Sequence, residues 1–275
     1  MKIRNRLKHS VSFIVLAIGA LVVALPFIWM ILTAVKPSNE VLLMPPKWFP
    51  STLVWENFVT AYHAAPFKQY LANSIFVSIC ITAGEIATAI LAAFAFSHLK
   101  FRGKQALFIG LIGTMMVPSE ILIIPNYMTL SHFGWINSYK ALILPWCTSI
   151  FSIFLLRQQF STIPVAYYKA ARLDGCSDFQ YLWTILVPMS MPTIFSIGIL
   201  KFINSWNAYL WPLIVTNTVE MRTLPVALAV FSNEGGVHYN TLMAFSLMII
   251  LPIFMLYLLL KQQIIKGVGR TGLKG

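Results

Sequence analysis

Charged residues are scarce in this sequence, and acidic residues are scarcer still. Only 10% of the 275 residues are charged, with 8 Asp and Glu against 20 Lys and Arg, whereas 58% are hydrophobic. A water-soluble domain of this size needs a far more polar surface. The composition therefore excludes a soluble globular protein and predicts a chain whose main solvent is lipid.

Several catalytic and metal-binding patterns are also absent. The sequence has no GxxxxGK[ST] phosphate loop, no HExxH pair and no two aspartates within its apolar runs. The cysteines Cys80, Cys147 and Cys176 lie far apart, without the spacing of a zinc site or a disulfide framework, and we interpret them as packing residues. We predict no catalytic residue, no metal site, no bound cofactor and no ATPase site in this chain.

Six apolar runs are long enough to cross a membrane. A helix that rises 1.5 Å per residue needs roughly 20 apolar residues to cross a hydrocarbon core of about 30 Å. The first run follows a basic segment, residues 1–10, but it is too long for a signal peptide and we interpret it as a retained helix. We predict an all-α, polytopic membrane protein, a single membrane domain over residues 11–275. Its six transmembrane helices are predicted at 11–34, 70–97, 106–124, 139–156, 188–215 and 241–260.

Basic residues are distributed unequally between the two sets of loops. The N-terminus, the loops after the second and fourth spans and the C-terminal tail together hold 14 of the 20 Lys and Arg. Loops that carry the excess of Lys and Arg stay in the cytoplasm, so both termini are predicted to be cytoplasmic. The same asymmetry explains the net charge of +12 without a nucleic-acid partner.

The longest predicted cytoplasmic loop, residues 158–188, has the clearest internal pattern. Ser161 or Thr162 can cap a first helix, and Gly175 can adopt the left-handed conformation that ends it. Ser177 can cap a second helix. The two predicted helices are 164–173 and 177–187, with Gly175 at positive φ.

The bend between these helices carries further signals. Ala170 and Ala171 allow a close approach to another surface, and Asp174 can accept hydrogen bonds from backbone N–H groups at the bend. An elbow lying on the membrane surface and a docking site for another subunit would share this pattern, so the residues alone leave both alternatives open.

The segment AARLDGCSDFQYLWTILVPMSMP resembles the "EAA" loop of ABC importer permeases, usually written EAAxxDGAxxxxxFxxIxxPxxxP. Further stretches resemble the maltose-type carbohydrate permeases, so that the resemblance covers nearly the whole chain. These stretches are LAAFAFSHLKFRGK, SWNAYLWPLIV, MRTLPVALAVF and QQIIKGVGRTGLKG. The matching loop positions are Ala170, Ala171, Asp174, Gly175, Pro188 and Pro192.

The resemblance implies half of the pore of an ATP-driven sugar importer in the bacterial cytoplasmic membrane. Such a permease pairs with a second permease, sits on two subunits that hydrolyse ATP with Mg, and receives solute from an extracellular binding protein. Its EAA loop lies in a cleft of the ATPase as a coupling helix. Lys169 stands where the motif has Glu, so we expect docking with a changed polar contact. The implied coupling residues are Lys169, Ala170, Ala171, Leu173, Asp174 and Gly175.

Polar residues within the fifth predicted span are candidates for the solute path. They combine hydrogen-bonding amides with flat aromatic faces, which suit the hydroxyls and the C–H face of a sugar. The alternative is that they pack the two permeases together. The candidates are Asn204, Trp206, Asn207, Tyr209 and Trp211.

Two charges lie deep in the predicted membrane, Glu85 in the second span and Lys201 in the fifth. Glu85 lies thirteen residues before His98 and Lys201 thirteen residues after Pro188, so that counting from the cytoplasmic side places both charges at a similar depth. They can pair with each other, line the solute path separately, or make unrelated local contacts. We expect a neutral oligosaccharide as substrate, with glycerol phosphate or an acidic sugar as the alternative if Lys201 binds an anion. A secondary transporter is a weaker alternative, because no internal repeat is visible.

Overall fold

A computed structural model describes the backbone of residues 2–233 and 236–269 and the side chains of residues 12–229, 231 and 238–261. Arg270 and Lys274, two of the basic residues predicted to lie in the cytoplasm, fall in the segment 270–275, outside the described residues. The side chains of the basic N-terminal segment are likewise outside this description.

The described residues are mostly α-helical, which confirms the predicted all-α class. A short antiparallel pairing joins Ser232–Asn233 to Gly236–Val237. The α-helices of the described chain are α1 (Lys2–Ala34), α2 (Glu56–Ala64), α3 (Phe67–Ser97), α4 (Lys104–Thr114), α5 (Ile123–His132), α6 (Tyr139–Ile143), α7 (Ile150–Thr162), α8 (Val165–Leu173), α9 (Asp178–Tyr181), α10 (Val187–Met189), α11 (Met191–Trp206), α12 (Leu210–Val215) and α13 (Tyr239–Gly269).

Three helical segments of the described chain are long and apolar enough to cross a membrane unaided, namely Ser12–Ala34, Phe67–Ser97 and Tyr239–Lys261. They agree with the first, second and sixth predicted spans. Three further pairs of helical segments reach that length only together, each with a bend of more than 40° between its members. The described chain therefore has up to six spans if each bent pair is counted as one.

The prediction that the third span, residues 106–124, is one continuous helix was wrong. Helix α4 ends at Thr114, and the chain turns by 90° before the segment Ser119–His132, which is a 3₁₀ turn followed by α5. Pro118 lies in this break with φ −59° and ψ 134°, which is an extended conformation. Proline cannot donate the backbone hydrogen bond that a continuing helix would require, so the break follows from its position.

The fourth and fifth predicted spans are also interrupted. The segments Tyr139–Trp146 and Ile150–Thr162 meet at 42°, and Asp178–Met189 meets Met191–Trp206 at 78°. The larger bend lies between Pro188 and Pro192, where missing N–H donors weaken the helical ladder. The predicted fifth span, 188–215, therefore consists of α10, α11 and α12 rather than of one helix.

The fold divides into two compact units, one made of Met1–Phe67 with Ala227–Pro252 and the other of Lys68–Val226 with Ile253–Gly275. The predicted single membrane domain stays a prediction. In the first unit, the Asn57 side chain on α2 donates to the carbonyls of Ala34 and Lys36, each at 2.9 Å. These bonds fix the loop after α1.

The second unit contains the candidate site and is held by a continuous apolar core. Residues of α3, α7, α8, α9 and α11 pack together in this core, which includes Ala93, Phe160 and Tyr181, each with 0% of its surface exposed. At Gly84 the backbone of α3 lies against Cys147, and an added Cβ would stand 2.7 Å from the cysteine Sγ. The α3 helix thus packs closely against the break between α6 and α7.

Candidate functional site

The loop between α7 and α11 forms the predicted pair of short helices. Helix α8 runs from Val165 to Leu173 and ends at a turn where Gly175 has φ +81°, as predicted. Ser177 caps α9 through its hydroxyl, which accepts the Gln180 N–H at 3.1 Å. The predicted cap at Ser161 or Thr162 was wrong. These two residues belong to α7, where their hydroxyls donate to α7 carbonyls, and α8 instead begins after Pro164.

The two helices of this loop (residues 158–188) are braced against each other, and the loop is hereafter called the coupling loop after the role that the resemblance implies. The Tyr168 hydroxyl donates to the Asp178 carboxylate at 2.7 Å, and this hydrogen bond raises the pKa of Tyr168 above its usual value. Arg172 lies 3.4 Å from the same carboxylate and donates to the Cys176 carbonyl at 3.0 Å. The bend is therefore held by side chains from both of its arms.

The outer face of the coupling loop is exposed and partly apolar. Leu173 is 89% exposed and Phe179 64% exposed, whereas Ala171 is buried against the core of the second unit. Lys169 is exposed and forms no ion pair with the described residues. The expected hydrogen bond from backbone N–H groups to the Asp174 carboxylate is not formed within the described chain, because backbone carbonyls of α8 accept the N–H groups at the bend. Exposed apolar groups at such a bend are typical of a docking surface.

Deeper in the second unit, Glu85 and Lys201 form an ion pair, with 2.6 Å between Nζ and Oε2. Glu85 on α3 is 3% exposed, and its other oxygen accepts the Ser152 hydroxyl of α7 at 2.5 Å. One carboxylate thereby connects α3, α7 and α11. Of the three alternatives that the sequence left open, the geometry agrees with pairing, and an unpaired charge at mid-membrane would be costly.

Beside Lys201 lies a cavity of about 550 Å³, which is within the usual range of ligand sites. Hereafter it is called the central cavity. Its walls come from α3, from the 3₁₀ turn that precedes α5, from α6 and the turn that follows α6, and from α11 and α12. Thr223 completes the lining. All of these segments belong to the second unit.

The structure brings four of the sequence candidates into this wall and leaves three outside it. Lys201, Asn204, Tyr209 and Trp211 line the central cavity. Trp206 is 2% exposed and stacks on Phe202. Asn207 lies at the exposed end of α11. Glu85 does not line the cavity but contacts it through its ion pair with Lys201. The expectation that Lys201 could serve as an unpaired handle for an anion is therefore not met.

Several lining residues were missed by the sequence reasoning. Ser and Thr within apolar runs give no signal of their own, because the same residues commonly bond to a carbonyl of the preceding helical turn. Trp146 and Glu120 lie in segments predicted as ordinary span or span end. The missed polar and aromatic lining residues include Ser78, Glu120, Trp146, Ser205 and Thr223.

Known proteins share both the sequence and the fold of this chain. Residues 85–269 match the family described as "Binding-protein-dependent transport system inner membrane component". The chain is 31% identical to the arabinooligosaccharides transport system permease protein AraQ of Halalkalibacterium halodurans, over 93% of each chain. It is 30% identical to the sn-glycerol-3-phosphate transport system permease protein UgpE of Agrobacterium fabrum, over 98% of this chain and 99% of that one.

A solved structure agrees with the fold. A chain of a bacterial ABC transporter involved in the import of the acidic polysaccharide alginate superposes with a TM-score of 0.83 at 22% identity, covering 94% of this chain and 96% of that one. The matched family residues include the ion pair, most of the lining of the central cavity and the whole coupling loop. This chain belongs to the family of inner-membrane components of binding-protein-dependent transport systems.

Proposed function

We propose that this chain is a permease subunit of an ATP-driven sugar importer and that it forms half of the translocation pore. The family match and the similarity to a permease for arabinooligosaccharides along nearly the full length support the proposal. A second permease subunit supplies the other half of the pore. An extracellular binding protein delivers the solute to it.

The coupling loop carries the proposal, because it has the shape and the surface that a docking segment needs. Its bend is fixed by Gly175 and by the Tyr168–Asp178 hydrogen bond, so that α8 can transmit a force without unfolding. Leu173 projects from the end of α8 and is 89% exposed. In the proposed complex this face lies in a cleft of one of two ATPase subunits. Lys169 makes a polar contact there that differs from the glutamate of the motif.

Those ATPase subunits, rather than this chain, bind ATP together with Mg and hydrolyse the ATP. The sequence contains no phosphate-binding loop, which supports this assignment. We place both termini and the coupling loop in the cytoplasm, because most Lys and Arg lie on that side. The chain then needs no catalytic residue of its own.

The relatives leave two classes of solute to consider. One is named for arabinooligosaccharides, which are neutral, and another for sn-glycerol-3-phosphate, which is an anion. We propose a neutral oligosaccharide for this chain, because its central cavity presents amide, hydroxyl and aromatic groups. The second candidate function is import of glycerol phosphate or an acidic sugar, and the similarity to the sn-glycerol-3-phosphate permease supports it.

The coupling role is tested by Gly175→Val in the complete importer, reconstituted in liposomes with its binding protein. A β-branched residue resists the left-handed conformation at φ +81°, so ATP hydrolysis should continue while solute uptake falls at least about tenfold. Gly110→Val is the matched control, because an added Cβ there meets no atom within 4 Å and the residue lies inside α4. Wild-type uptake by the Gly175 variant, or failure of the chain to co-purify with an ATPase, would contradict the proposal.

A further inference from the structure

The segment that joins α1 to α2, hereafter the α1–α2 loop (residues 35–55), turns large apolar side chains outward. Met44 is 89% exposed and Phe49 is 73% exposed. The most exposed apolar side chains of the loop are Leu42, Met44, Phe49, Leu53 and Trp55. Exposed apolar groups that lie this close together in the chain are rare against water and mark a surface that meets a membrane or another protein.

The charged groups of the same loop are bound to one another inside it. Lys36 has 0% of its surface exposed, and its ammonium donates to the Lys47 carbonyl and lies 4.1 Å from the centre of the Trp29 ring. Glu40 is 8% exposed, accepts the Ser51 N–H at 3.0 Å and lies 2.6 Å from the Lys47 ammonium. A loop that faces water has its charges outside and its apolar groups inside, so the α1–α2 loop is inverted relative to that arrangement.

The loop folds back along the last turns of α1. The Trp48 and Trp29 rings meet edge to face with 5.1 Å between their centroids. Trp29 precedes Ala34, the end of α1, by about 8 Å of helix. This part of α1 belongs to the span Ser12–Ala34, whose most apolar stretch is not buried by the described chain. The exposed side of the loop therefore lies next to the lipid-facing surface of α1.

Hydrogen bonds within the first unit hold the loop in this position. The Val54 N–H donates to the Val35 carbonyl at 2.9 Å, which joins the two ends of the loop. Asn240, at the start of α13, donates to the Ser38 hydroxyl at 3.0 Å. The loop also contains four prolines, which bring no backbone N–H that lipid would leave unsatisfied. These prolines are Pro37, Pro45, Pro46 and Pro50.

A lipid surface fits this loop better than a protein partner does. A protein interface needs polar groups around its apolar centre, with roughly one hydrogen bond per 100–200 Å². Within the described residues, Lys47 and Ser51 are already bonded to Glu40, which leaves Thr52 as the hydroxyl that residues 41–55 can offer to a partner. Tryptophan, by contrast, concentrates at the headgroup level of membranes.

We propose that the α1–α2 loop is a lipid anchor, which lies in the interface of the leaflet at the C-terminal end of α1 with Met44, Phe49 and Leu53 inserted towards the acyl chains. Burial of these side chains drives the contact, as it does for other elements that lie in a membrane interface. The partner is the lipid surface itself. Only the naming of this leaflet as the extracellular one rests on the proposed function.

Site-directed spin labelling measures the depth of the loop. The chain, together with its partner subunits, is placed in nanodiscs of phosphatidylethanolamine and phosphatidylglycerol, with a nitroxide attached at Met44→Cys or at Phe49→Cys. The three native cysteines are replaced by alanine in these variants. Collisions with O₂, which partitions into lipid, and with a nickel chelate, which stays in water, report the depth. We expect both labels to lie about 5–10 Å into the boundary between headgroups and acyl chains.

Glu56→Cys is the matched control, because Glu56 is an exposed carboxylate at the start of α2 and its label should meet the nickel chelate freely. If the chelate reaches the labels at residues 44 and 49 as readily as the control label, the loop lies in water and the proposal is wrong. If those two labels become shielded from the chelate only after the binding protein is added, the surface docks a protein and the lipid assignment is equally wrong.

A second measurement needs no cysteine replacement. The difference in fluorescence between the wild type and Trp55→Phe isolates the emission of Trp55, which is 64% exposed. Phospholipids brominated on their acyl chains should remove most of this emission, whereas iodide in the water should leave most of it. The opposite result would contradict the proposal.

Both measurements are independent of ATP hydrolysis and solute uptake. Elution of each variant as a monodisperse peak shows that it has folded. If no ATPase assembles with the chain, the transport role fails while the depth of the loop is still measured. If the complex transports solute but the labels lie in water, the lipid anchor fails while the transport role stands.

Discussion

The ion pair between Glu85 and Lys201 can be tested by a double-mutant cycle. Glu85→Gln keeps an oxygen that can accept the Ser152 hydroxyl but leaves the Lys201 ammonium unpaired, and Lys201→Met leaves the buried carboxylate unpaired. Removing one partner of a buried pair costs about 3–5 kcal/mol, and a charge at the centre of the membrane costs about 3 kcal/mol on insertion scales. Each single variant should therefore lose about 3 kcal/mol of stability.

The double variant should recover most of this loss, because neither charge is left without its partner. We expect its stability within about 1 kcal/mol of the wild type, which corresponds to a coupling of about 5 kcal/mol between the two sites. Independent sites add within about 0.3–0.5 kcal/mol, so the expected coupling lies well above that scatter. A glutamine is the appropriate replacement at residue 85 because it preserves the size of the side chain.

The stability of the purified complex is measured by loss of the monodisperse peak after heating, and solute uptake is measured in parallel. Glu120→Gln is the matched control, since it removes an exposed carboxylate that forms no ion pair with the described residues and should change stability by less than about 0.5 kcal/mol. Strictly additive losses in the double variant would refute the pairing as a stabilising interaction.

Three further predictions address other parts of the chain. Gly84→Ala places a Cβ 2.7 Å from the Cys147 Sγ and should cost about 1–3 kcal/mol of stability, which Cys147→Ala in the same chain should partly restore. Tyr168→Phe removes the 2.7 Å hydrogen bond to Asp178 and should lower the solute imported per ATP about 2- to 5-fold, as expected for one lost hydrogen bond. Hydrogen bonds from Lys47 and Ser51 lower the pKa of Glu40 to about 2, so the loop they join should lose stability as the pH falls from about 4.5 towards 2, and pepsin should then cleave it faster.

Each of these predictions has a control. Gly19→Ala adds a Cβ with no atom within 4 Å and should leave stability unchanged, which separates the clash at Gly84 from a general effect of alanine. Tyr167→Phe, on the exposed neighbouring position of α8, should leave the coupling ratio unchanged. In a Glu40→Gln variant, the rate of pepsin cleavage of the loop, divided by its rate on an unstructured reference peptide at the same pH, should already be high and should not change in this window. Equal pH profiles of variant and wild type would contradict the role of that carboxylate.

Local signals in the sequence were sufficient for the coupling loop. The left-handed turn at Gly175 and the cap at Ser177 depend on the conformational preferences of single residues, which the surrounding fold does not alter. The cap predicted at Ser161 or Thr162 failed for a related reason. A hydroxyl residue can bond either to an N–H group ahead of it or to a carbonyl behind it, and here α7 continues far enough to provide the carbonyls.

The sequence by itself determined that the chain lies mainly in lipid and that Glu85 and Lys201, at a similar depth, each need a partner or water, because hydropathy and charge are properties of each residue and depth follows from counting along a helix. The prolines mark where the chain can bend, but only the tertiary structure decided the angles of the bends at Pro118 and near Ser190 and the wall of the central cavity. Ser78, Ser205 and Thr223 come from segments more than 100 residues apart at their extremes, and a serine in an apolar run carries no sign of whether it will bond to its own helix or face a cavity. The packing of α3 against α11 settles that choice, which no local pattern encodes.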